Sequence, residues 1–162
     1  MELCGDALPA SAICEILKIG RELLSHPIEL LPAVEATLDA LLERARLVLA
    51  TKGDLVHQEA KVAASGLGDR FSGIEMLSDK NADAFRRLFS RYRVPPERCV
   101  FAGDSIRSDV LPALEVGAWA AYVPDDTVWF YECANASGDH PRFKWLDTLA
   151  DLPGWIDAIG SR

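Results

Sequence analysis

The spacing of apolar residues along the chain alternates between a helical period and short continuous runs. Apolar residues three or four positions apart predict amphipathic helices, and this spacing recurs over four segments: 11–21, 31–42, 54–65 and 82–92. We expect Gly20 to weaken or end the first helix and Pro32 to lie near the first turn of the second. Asp54 can cap the third helix and Gly66 can stop it, while Pro95 lies just beyond the fourth.

Short apolar runs lie between these helices and predict strands that are buried on both faces. The runs are 47–51, 71–77, 99–102 and 119–123, with a short helix expected from Asp109 to Gly117. Strand and helix in alternation predict an α/β fold with a mostly parallel sheet and helices on both faces. The segment 125–143 is predicted as a long loop.

Composition narrows the class of protein. The 162 residues suffice for one well-buried domain. The formal net charge is −8 and Lys and Arg are scattered, which argues against nucleic acid or an anionic membrane as the partner and favours a small ligand. No apolar run approaches the roughly 20 residues of a membrane span, the start of the chain has no signal-peptide pattern, and the cysteines form no CxxC pair. We therefore expect a cytoplasmic protein.

Two carboxylates, Asp104 and Asp109, lie five positions apart in a Gly/Ser turn after the predicted strand 99–102. Carboxylates fixed at a strand end supply the hard oxygen ligands that Mg²⁺ selects. Asp and Ser at such a place also cap helices, and Asp109 lies where the first turn of the next helix is expected. Taken alone, the pair is compatible with a magnesium site or with helix capping.

Further polar residues follow the neighbouring strands. Ligands of parallel sheets bind at the carboxyl ends of the strands, so we expect Thr51, Lys52, Gly53 and Lys80 to share one edge with the two carboxylates. Thr51 can donate to a phosphoryl oxygen, Gly53 lets backbone amides approach an anion, and Lys80 can neutralise phosphate or pair with Asp109. Each residue alone also fits a strand end or a solvated charge. Together they favour a phosphate site with Mg²⁺.

Three segments, in this order, resemble the second, third and fourth motifs of the haloacid dehalogenase-like (HAD) hydrolase superfamily. They are Val48-Leu-Ala-Thr51, Lys80 with the helix after it, and Val100-Phe-Ala-Gly-Asp104-Ser-Ile-Arg-Ser-Asp109. The resemblance runs from about Ile28 to Val123. It implies a Rossmann-like three-layer α/β/α domain that performs Mg²⁺-dependent phosphoryl transfer, usually hydrolysis of a phosphomonoester through an aspartyl-phosphate, on a small phosphorylated molecule.

The resemblance also implies roles for single residues. Thr51 and Lys80 would hold the phosphoryl group, Asp104 would ligate Mg²⁺, and Asp109 would support the metal or orient Lys80. These roles agree with the chemistry expected of donors and cations around a transferring phosphoryl group. On the family's pattern, residues 1–27 would be the remnant of a helical cap and residues 28–162 the α/β core.

The first motif of the family has no counterpart in this sequence. It is a strand ending in DxDx[TV], whose first Asp is the nucleophile and whose second is the general acid and base. Asp6 has no apolar strand before it and no second Asp two positions later, and Asp39 lies within a predicted helix. Loss of a covalent nucleophile costs about a million-fold in turnover. We therefore expect the isolated chain to be close to inert as a phosphatase.

The absence of the first-motif strand also predicts an open sheet. In the family the first-motif strand lies between the strands that correspond to 47–51 and 99–102. Removal of this strand would expose two central edges. At roughly 1 kcal/mol or more for each buried unpaired backbone group, the free-energy cost would rival a typical total stability of about 5–15 kcal/mol. Three alternatives would resolve this: the flanking strands pair directly, another subunit supplies a strand, or the sequence is a fragment of a longer product. We expect self-association through the opening, giving a homodimer.

Two rival classes remain open. The first is a non-catalytic HAD-like phosphate-binding or protein-interaction module, in which the pocket survives without its nucleophile. The second is a response-regulator receiver, which also places Asp, Thr and Lys around Mg²⁺. A receiver carries its acidic pair and phosphoacceptor Asp before the Thr and the Lys, whereas here the order is Thr51, Lys80, Asp104. The order therefore disfavours a receiver.

Overall fold

The computed structural model of the chain describes residues 9–24, 27–125 and 140–161. Its helices are α1 (Ala10–Leu24), α2 (Val34–Leu42), α3 (Leu55–Ser65), α4 (Ala82–Tyr92), α5 (Leu111–Glu115) and α6 (Leu152–Gly160). Its strands are β1 (Leu49–Lys52), β2 (Ile74–Leu77), β3 (Val100–Gly103), β4 (Trp119–Tyr122) and β5 (Phe143–Trp145). A π-helical turn, Ile106–Val110, joins β3 to α5.

The described strands form two separate sheets in which all pairs are parallel. β1 pairs with β2 in one sheet, and β4 lies between β3 and β5 in the other. The mostly parallel α/β class predicted from the sequence is therefore confirmed. Direct pairing of the two central strands is not observed, since no ladder among the described residues joins β1 to β3.

Apolar clusters cover the strands on both faces. On one face, α4 and α5 contribute Phe85, Leu88 and Ala113 to a buried cluster that also contains Val110. On the other, α2 and α6 contribute Leu38, Leu41 and Leu152. These are the helices on both faces that the alternating pattern predicts, and together they make three layers.

Two of the predicted helices have boundaries that their capping residues explain. The Asp54 side chain accepts a hydrogen bond from the His57 backbone N–H at 3.0 Å, and α3 stops at Gly66, whose φ is 69°. Asn81 caps α4 in the same way through the Ala84 N–H at 2.9 Å. The cap of α4 fixes the residue before it, Lys80, at the carboxyl end of β2.

Other boundaries differ from the predictions. α1 passes through Gly20 to Leu24, because a glycine costs only about 1 kcal/mol in a helix interior and does not end a helix unless it adopts the left-handed conformation. α2 begins at Val34, after Ala33 at φ 62°, so Pro32 lies in the preceding turn. β2 is shorter than the predicted strand 71–77.

The sequence pattern missed the last two elements. β5 adds a third strand beside β4, and α6 packs Leu152 and Trp155 against the second apolar cluster. The predicted loop 125–143 overlaps the start of β5 at Phe143, and its residues 126–139 lie outside the described part of the chain. Within the described residues, every helix falls short of the length and apolar character needed to cross a membrane.

Candidate functional site

Asp109 is a buried carboxylate, 2% exposed, in the π-helical turn after β3. Its Oδ1 accepts a hydrogen bond from Lys80 Nζ at 2.7 Å, and its Oδ2 accepts one from the Ser105 backbone N–H at 3.1 Å. Ser105 caps the turn by accepting the Ser108 N–H at 2.8 Å. The turn therefore holds Asp109 in one orientation, with each carboxylate oxygen already bonded.

Lys80 links the end of β2 to the end of β3. Its side chain is 16% exposed, it forms the ion pair with Asp109, and its Nζ lies 5.7 Å from the centre of the Phe101 ring. A charge that is mostly removed from water needs an opposite charge as its partner, and Asp109 supplies that partner. The two sheets are thus joined at their carboxyl ends by side chains.

Gly103, the last residue of β3, leaves the space that Asp109 occupies. A Cβ built on Gly103 would overlap the side chain of Asp109, which supplies all three of the nearest atoms. Any side chain at this position would therefore push the carboxylate away from Lys80.

The end of β1 brings a second cation to the same place. Lys52 Nζ lies 3.5 Å from Ser108 Oγ in the turn after β3. The Thr51 hydroxyl donates to Gln58 Oε1 of α3 at 3.2 Å, so in this structure it is directed toward α3. Gly53 has a φ of 142°, a conformation that favours glycine, and the Gln58 amide lies against it.

Asp104 lies at the exposed start of the turn after β3. Partial desolvation raises the pKa of its carboxyl group, and the negative charges of Asp109 and Asp125 raise it further, while Lys80 lowers it in part. Besides desolvation, two neighbouring carboxylates act on this pKa against the single ammonium group of Lys80. Such a place favours an incoming cation.

A magnesium ion would find only part of its ligand set here. Mg²⁺ usually takes one or two carboxylates and keeps several waters. Asp104 suits that role, whereas both oxygens of Asp109 already accept hydrogen bonds. In residues 9–24, 27–125 and 140–161, no group of three or more His, Cys, Asp or Glu side chains is placed to hold a metal ion. The residues therefore fit one side of a hydrated Mg²⁺ and do not complete its site.

The contacts bring Lys52, Lys80, Asp104 and Asp109 together at the carboxyl ends of β1, β2 and β3. Sequence reasoning missed three residues near them. Ser108 lies within the Asp104–Asp109 turn and Asp125 follows β4. Both could have been found by the rule that ligands of parallel sheets bind at the carboxyl ends of the strands. Gln58 carries no such signal, because only the packing of α3 brings it to Thr51.

Comparison with known proteins places the chain among hydrolases. A family model described as haloacid dehalogenase-like hydrolase matches residues 7–117. A haloacid dehalogenase-like family hydrolase from Xanthomonas campestris is 36% identical and superposes with a TM-score of 0.87 over 95% of this chain. The chain spans 65% of the length of that protein. No curated protein sequence matches the chain.

Two more distant structures share the fold. The HAD hydrolase YfnB from Bacillus subtilis, solved with bound magnesium, is 18% identical, with a TM-score of 0.72 over 94% of this chain and 66% of its own. A predicted phosphoglycolate phosphatase from Haemophilus somnus is 21% identical, with a TM-score of 0.64 over 88% of this chain and 64% of its own. At these identities the likeness concerns the fold alone.

Proposed function

Since the chain belongs to the haloacid dehalogenase-like hydrolase family, we propose that it forms the phosphoryl-binding part of a Mg²⁺-dependent phosphatase site for a small phosphorylated molecule. The observation that carries this proposal is the meeting of Lys52, Lys80 and the buried Asp109 where three parallel strands end. Two ammonium groups at the carboxyl edge of a parallel sheet form a place for an anion with several oxygens.

Each residue then has a role in binding the phosphoryl group. Lys80, held by Asp109, presents a fixed positive charge, and Lys52 adds a second charge from β1. The Thr51 hydroxyl turns from Gln58 to donate to a phosphoryl oxygen, next to the backbone N–H of Gly53. Bound Mg²⁺ would neutralise charge on the phosphoryl oxygens, with Asp104 as its ligand from this chain.

Catalysis needs groups that these residues do not supply. The 162 residues contain no DxDx[TV] pattern, and Asp109 is already bonded to Lys80 and to the Ser105 N–H. Without a covalent nucleophile, turnover falls by about a million-fold. The chain by itself is therefore expected to bind phosphate and Mg²⁺ weakly and to show no detectable Mg²⁺-dependent hydrolysis of an aryl phosphate.

Ligand-dependent thermal stability tests the binding part of the proposal. With a dissociation constant of about 1 mM, about 10 mM inorganic phosphate would add about 1.4 kcal/mol to the free energy of unfolding. Lys52→Met removes one of the two cations and is expected to abolish most of this gain. Lys61→Met is the matched control, because Lys61 is an exposed lysine on α3. Equal phosphate gains in the two variants would contradict the proposed site.

A second candidate is a non-catalytic phosphate-binding or protein-interaction module. The incomplete set of metal ligands among the described residues favours it. Hydrolysis assays separate the two candidates. A phosphatase part gains activity once the missing carboxylates are supplied by another chain, whereas a binding module is stabilised by phosphate and Mg²⁺ but never turns substrate over.

A further inference from the structure

We propose that the groove between α3 and the outer edge of β2 binds an extended, positively charged segment of a partner protein, which adds a strand to β2. The groove has a volume of about 780 Å³, within the range of about 300–1,000 Å³ that is usual for ligand-binding clefts. Its lining comes from one face of α3, the turn after α3, three successive positions of β2 and the last turn of α4. Lys52 and Lys80 are not among the lining residues, so this surface is distinct from the proposed phosphoryl site.

The groove follows the edge of β2 and not one of its faces. Successive side chains of a strand point to opposite faces of a sheet, yet the residues 74–76 all line the groove. In the neighbouring strand, Thr51 bonds to α3, whereas Ala50 packs against the cluster that holds the buried side chains of α4. The two helices therefore cover opposite faces, and a groove lined by both runs along the edge between them.

The backbone groups on this edge are available for a further strand. β2 pairs with β1, and the Leu49 N–H donates to the Gly73 carbonyl at 3.0 Å where the ladder begins. Backbone groups of successive residues point to opposite edges of a strand, so Ile74 and Met76 direct their N–H and C=O groups away from β1. Within residues 9–24, 27–125 and 140–161, no backbone hydrogen bond satisfies these groups. Strand addition to an open sheet edge is a common mode of peptide recognition.

The lining of the groove also offers apolar contacts to such a segment. The side chain of Leu55 is 51% exposed and that of Ile74 is 39% exposed. Val62 and Met76 are half-buried beside them. An added strand would remove part of this apolar surface from water, which favours binding.

The charges that line the groove determine which segment fits. Three carboxylates, those of Glu59, Asp69 and Glu75, lie along it against the single guanidinium group of Arg91. Arg91 forms an ion pair with Glu75. Glu59 and Asp69 are exposed and form no ion pair in the part of the chain that the structure describes. Lysine or arginine side chains of a partner would complement these two carboxylates.

A second copy of the chain fits this edge less well than a basic segment. A two-fold dimer joins the same surface of both copies, so it would bring the same three carboxylates and one guanidinium group from each side. The chain as a whole also carries a formal net charge of −8. Repulsion between like charges therefore disfavours self-association at this edge.

A synthetic peptide tests the proposal with the full 162-residue chain. The probe is Lys-Thr-Ile-Thr-Lys with both ends blocked. Its side-chain pattern is the same in both directions, so it suits a parallel or an antiparallel added strand, with Ile and both lysines on one face. We expect saturable binding with a dissociation constant of about 1 mM or lower in a calorimetric titration. The absence of saturable binding overturns the proposal.

Variants of the chain and of the peptide test the charges. Glu59→Gln and Asp69→Asn should each weaken binding about two- to fivefold, as is usual for exposed ion pairs. Both side chains are exposed, so the variants should fold. Glu29→Gln is the matched control, because Glu29 is exposed and lies outside the groove. Equal affinity in all three variants, or equal affinity of the chain for Glu-Thr-Ile-Thr-Glu, overturns the assigned partner chemistry.

Hydrogen exchange tests where the peptide binds. The amides of Ile74 and Met76 should exchange at least about tenfold more slowly with the peptide, while those of β4, which is paired on both sides, should not change. Slow exchange of these two amides without peptide overturns the open edge, and sedimentation at increasing concentration then tells whether a second copy of the chain covers it.

Proline peptides test whether the backbone of the probe pairs with β2. One peptide replaces Ile by Pro, and the other replaces both Thr residues by Pro. Since alternate residues of an added strand face β2, one of the two peptides loses the donors that the pairing needs and should not bind. Binding of both proline peptides with the affinity of the probe overturns strand addition.

Discussion

The ion pair between Lys80 and Asp109 is the most constrained interaction of the candidate site. Its atoms are 2.7 Å apart, and the two side chains are 16% and 2% exposed. A buried pair of this kind adds little to stability compared with two apolar residues, but the loss of one partner leaves a charge uncompensated. Its value lies in fixing the ammonium group of Lys80 for the anion that we propose.

A double-mutant cycle measures the coupling free energy between Lys80 and Asp109. Lys80→Met leaves Asp109 buried and unpaired and should cost about 3–5 kcal/mol in the free energy of unfolding. The Lys80→Met/Asp109→Asn double variant should lose less than the sum of the single variants, by about 1–3 kcal/mol. Lys18→Met is the control, since the Lys18–Glu22 pair is mostly exposed and 3.7 Å apart; it should cost under about 0.5 kcal/mol. Additive losses at Lys80 and Asp109 would contradict the pairing.

The raised pKa of Asp104 gives a pH dependence with a definite sign. Because protonation of Asp104 is favoured in the folded state, its contribution to stability is full below the usual pKa of 3.8 and is lost as the pH rises through the raised value. In metal-free buffer, Asp104→Asn should therefore stabilise the protein at neutral pH. The gain should shrink as the pH falls toward 3.8.

Asp39 supplies the opposite case, and urea unfolding at several pH values measures the stability of both variants. The hydrogen bond from Arg70 lowers the pKa of Asp39. Asp39→Asn should therefore destabilise the protein at neutral pH, and the loss should shrink as the pH falls through the lowered pKa. If Asp104→Asn destabilises the metal-free protein at neutral pH, the assignment of a raised pKa to Asp104 is wrong.

At the scale of elements, the turn that joins β3 to α5 decides the geometry of the site. It is a π-helical turn, a form that often occurs at functional sites. It turns Asp109 back beneath Gly103, where the Ser105 N–H and Lys80 both reach it. Strand, glycine and turn thus act as one unit that places the Asp109 carboxylate against Lys80, where we propose the anion site.

Gly103→Ala tests that unit. The added methyl group overlaps the Asp109 side chain, so the variant should lose about 1–3 kcal/mol in stability and most of its stabilisation by phosphate. Gly154→Ala in α6 is the matched control, because a Cβ there meets nothing within 4 Å. It should leave stability unchanged or raise it by about 0.5–1 kcal/mol. Similar losses in both variants would show that the effect is not specific to Asp109.

At the scale of the whole molecule, the described residues leave apolar side chains of α1 exposed. α1 exposes about half of the side chains of Ile13, Ile16, Leu17 and Ile19, and none of its described residues is buried. The two apolar clusters draw their buried residues from position 38 onward. The division into a segment 1–27 and a core 28–162 remains a prediction that a shortened chain can test.

Removal of residues 1–27 should leave the core folded. We expect the chain 28–162 to melt within a few degrees of the full chain, because α1 buries little surface. It should also associate less in sedimentation experiments, because an exposed apolar stripe is gone. A chain that ends at residue 150 lacks α6 and serves as the contrast. It should be destabilised, because Leu152 lies in the second cluster and Trp155 packs against it. Unfolding of the chain 28–162 would place α1 within the core.

Local sequence signals account for much of the fold. Asp54, Gly66 and Asn81 mark the ends of α3 and α4 through their own hydrogen bonds or conformations, so the boundaries follow from residue type. Gly20 misled because a glycine stops a helix only where the chain turns left-handed, and its φ is not positive. The short strand β5 was missed because three residues carry no periodicity, and pairing with β4 stabilises it.

The features of the candidate site also fall into those that local sequence signals predict and those that only packing decides. The sequence by itself determined the class of fold, the family and the order of Thr51, Lys80, Asp104 and Asp109 at strand ends, because apolar periodicity and motif spacing are local properties. Only the tertiary structure decided that Asp109 bonds Lys80, that Gln58 holds Thr51, and that β1 and β3 stay apart. These contacts join residues far apart in the chain, and they depend on packing between layers that no local pattern encodes.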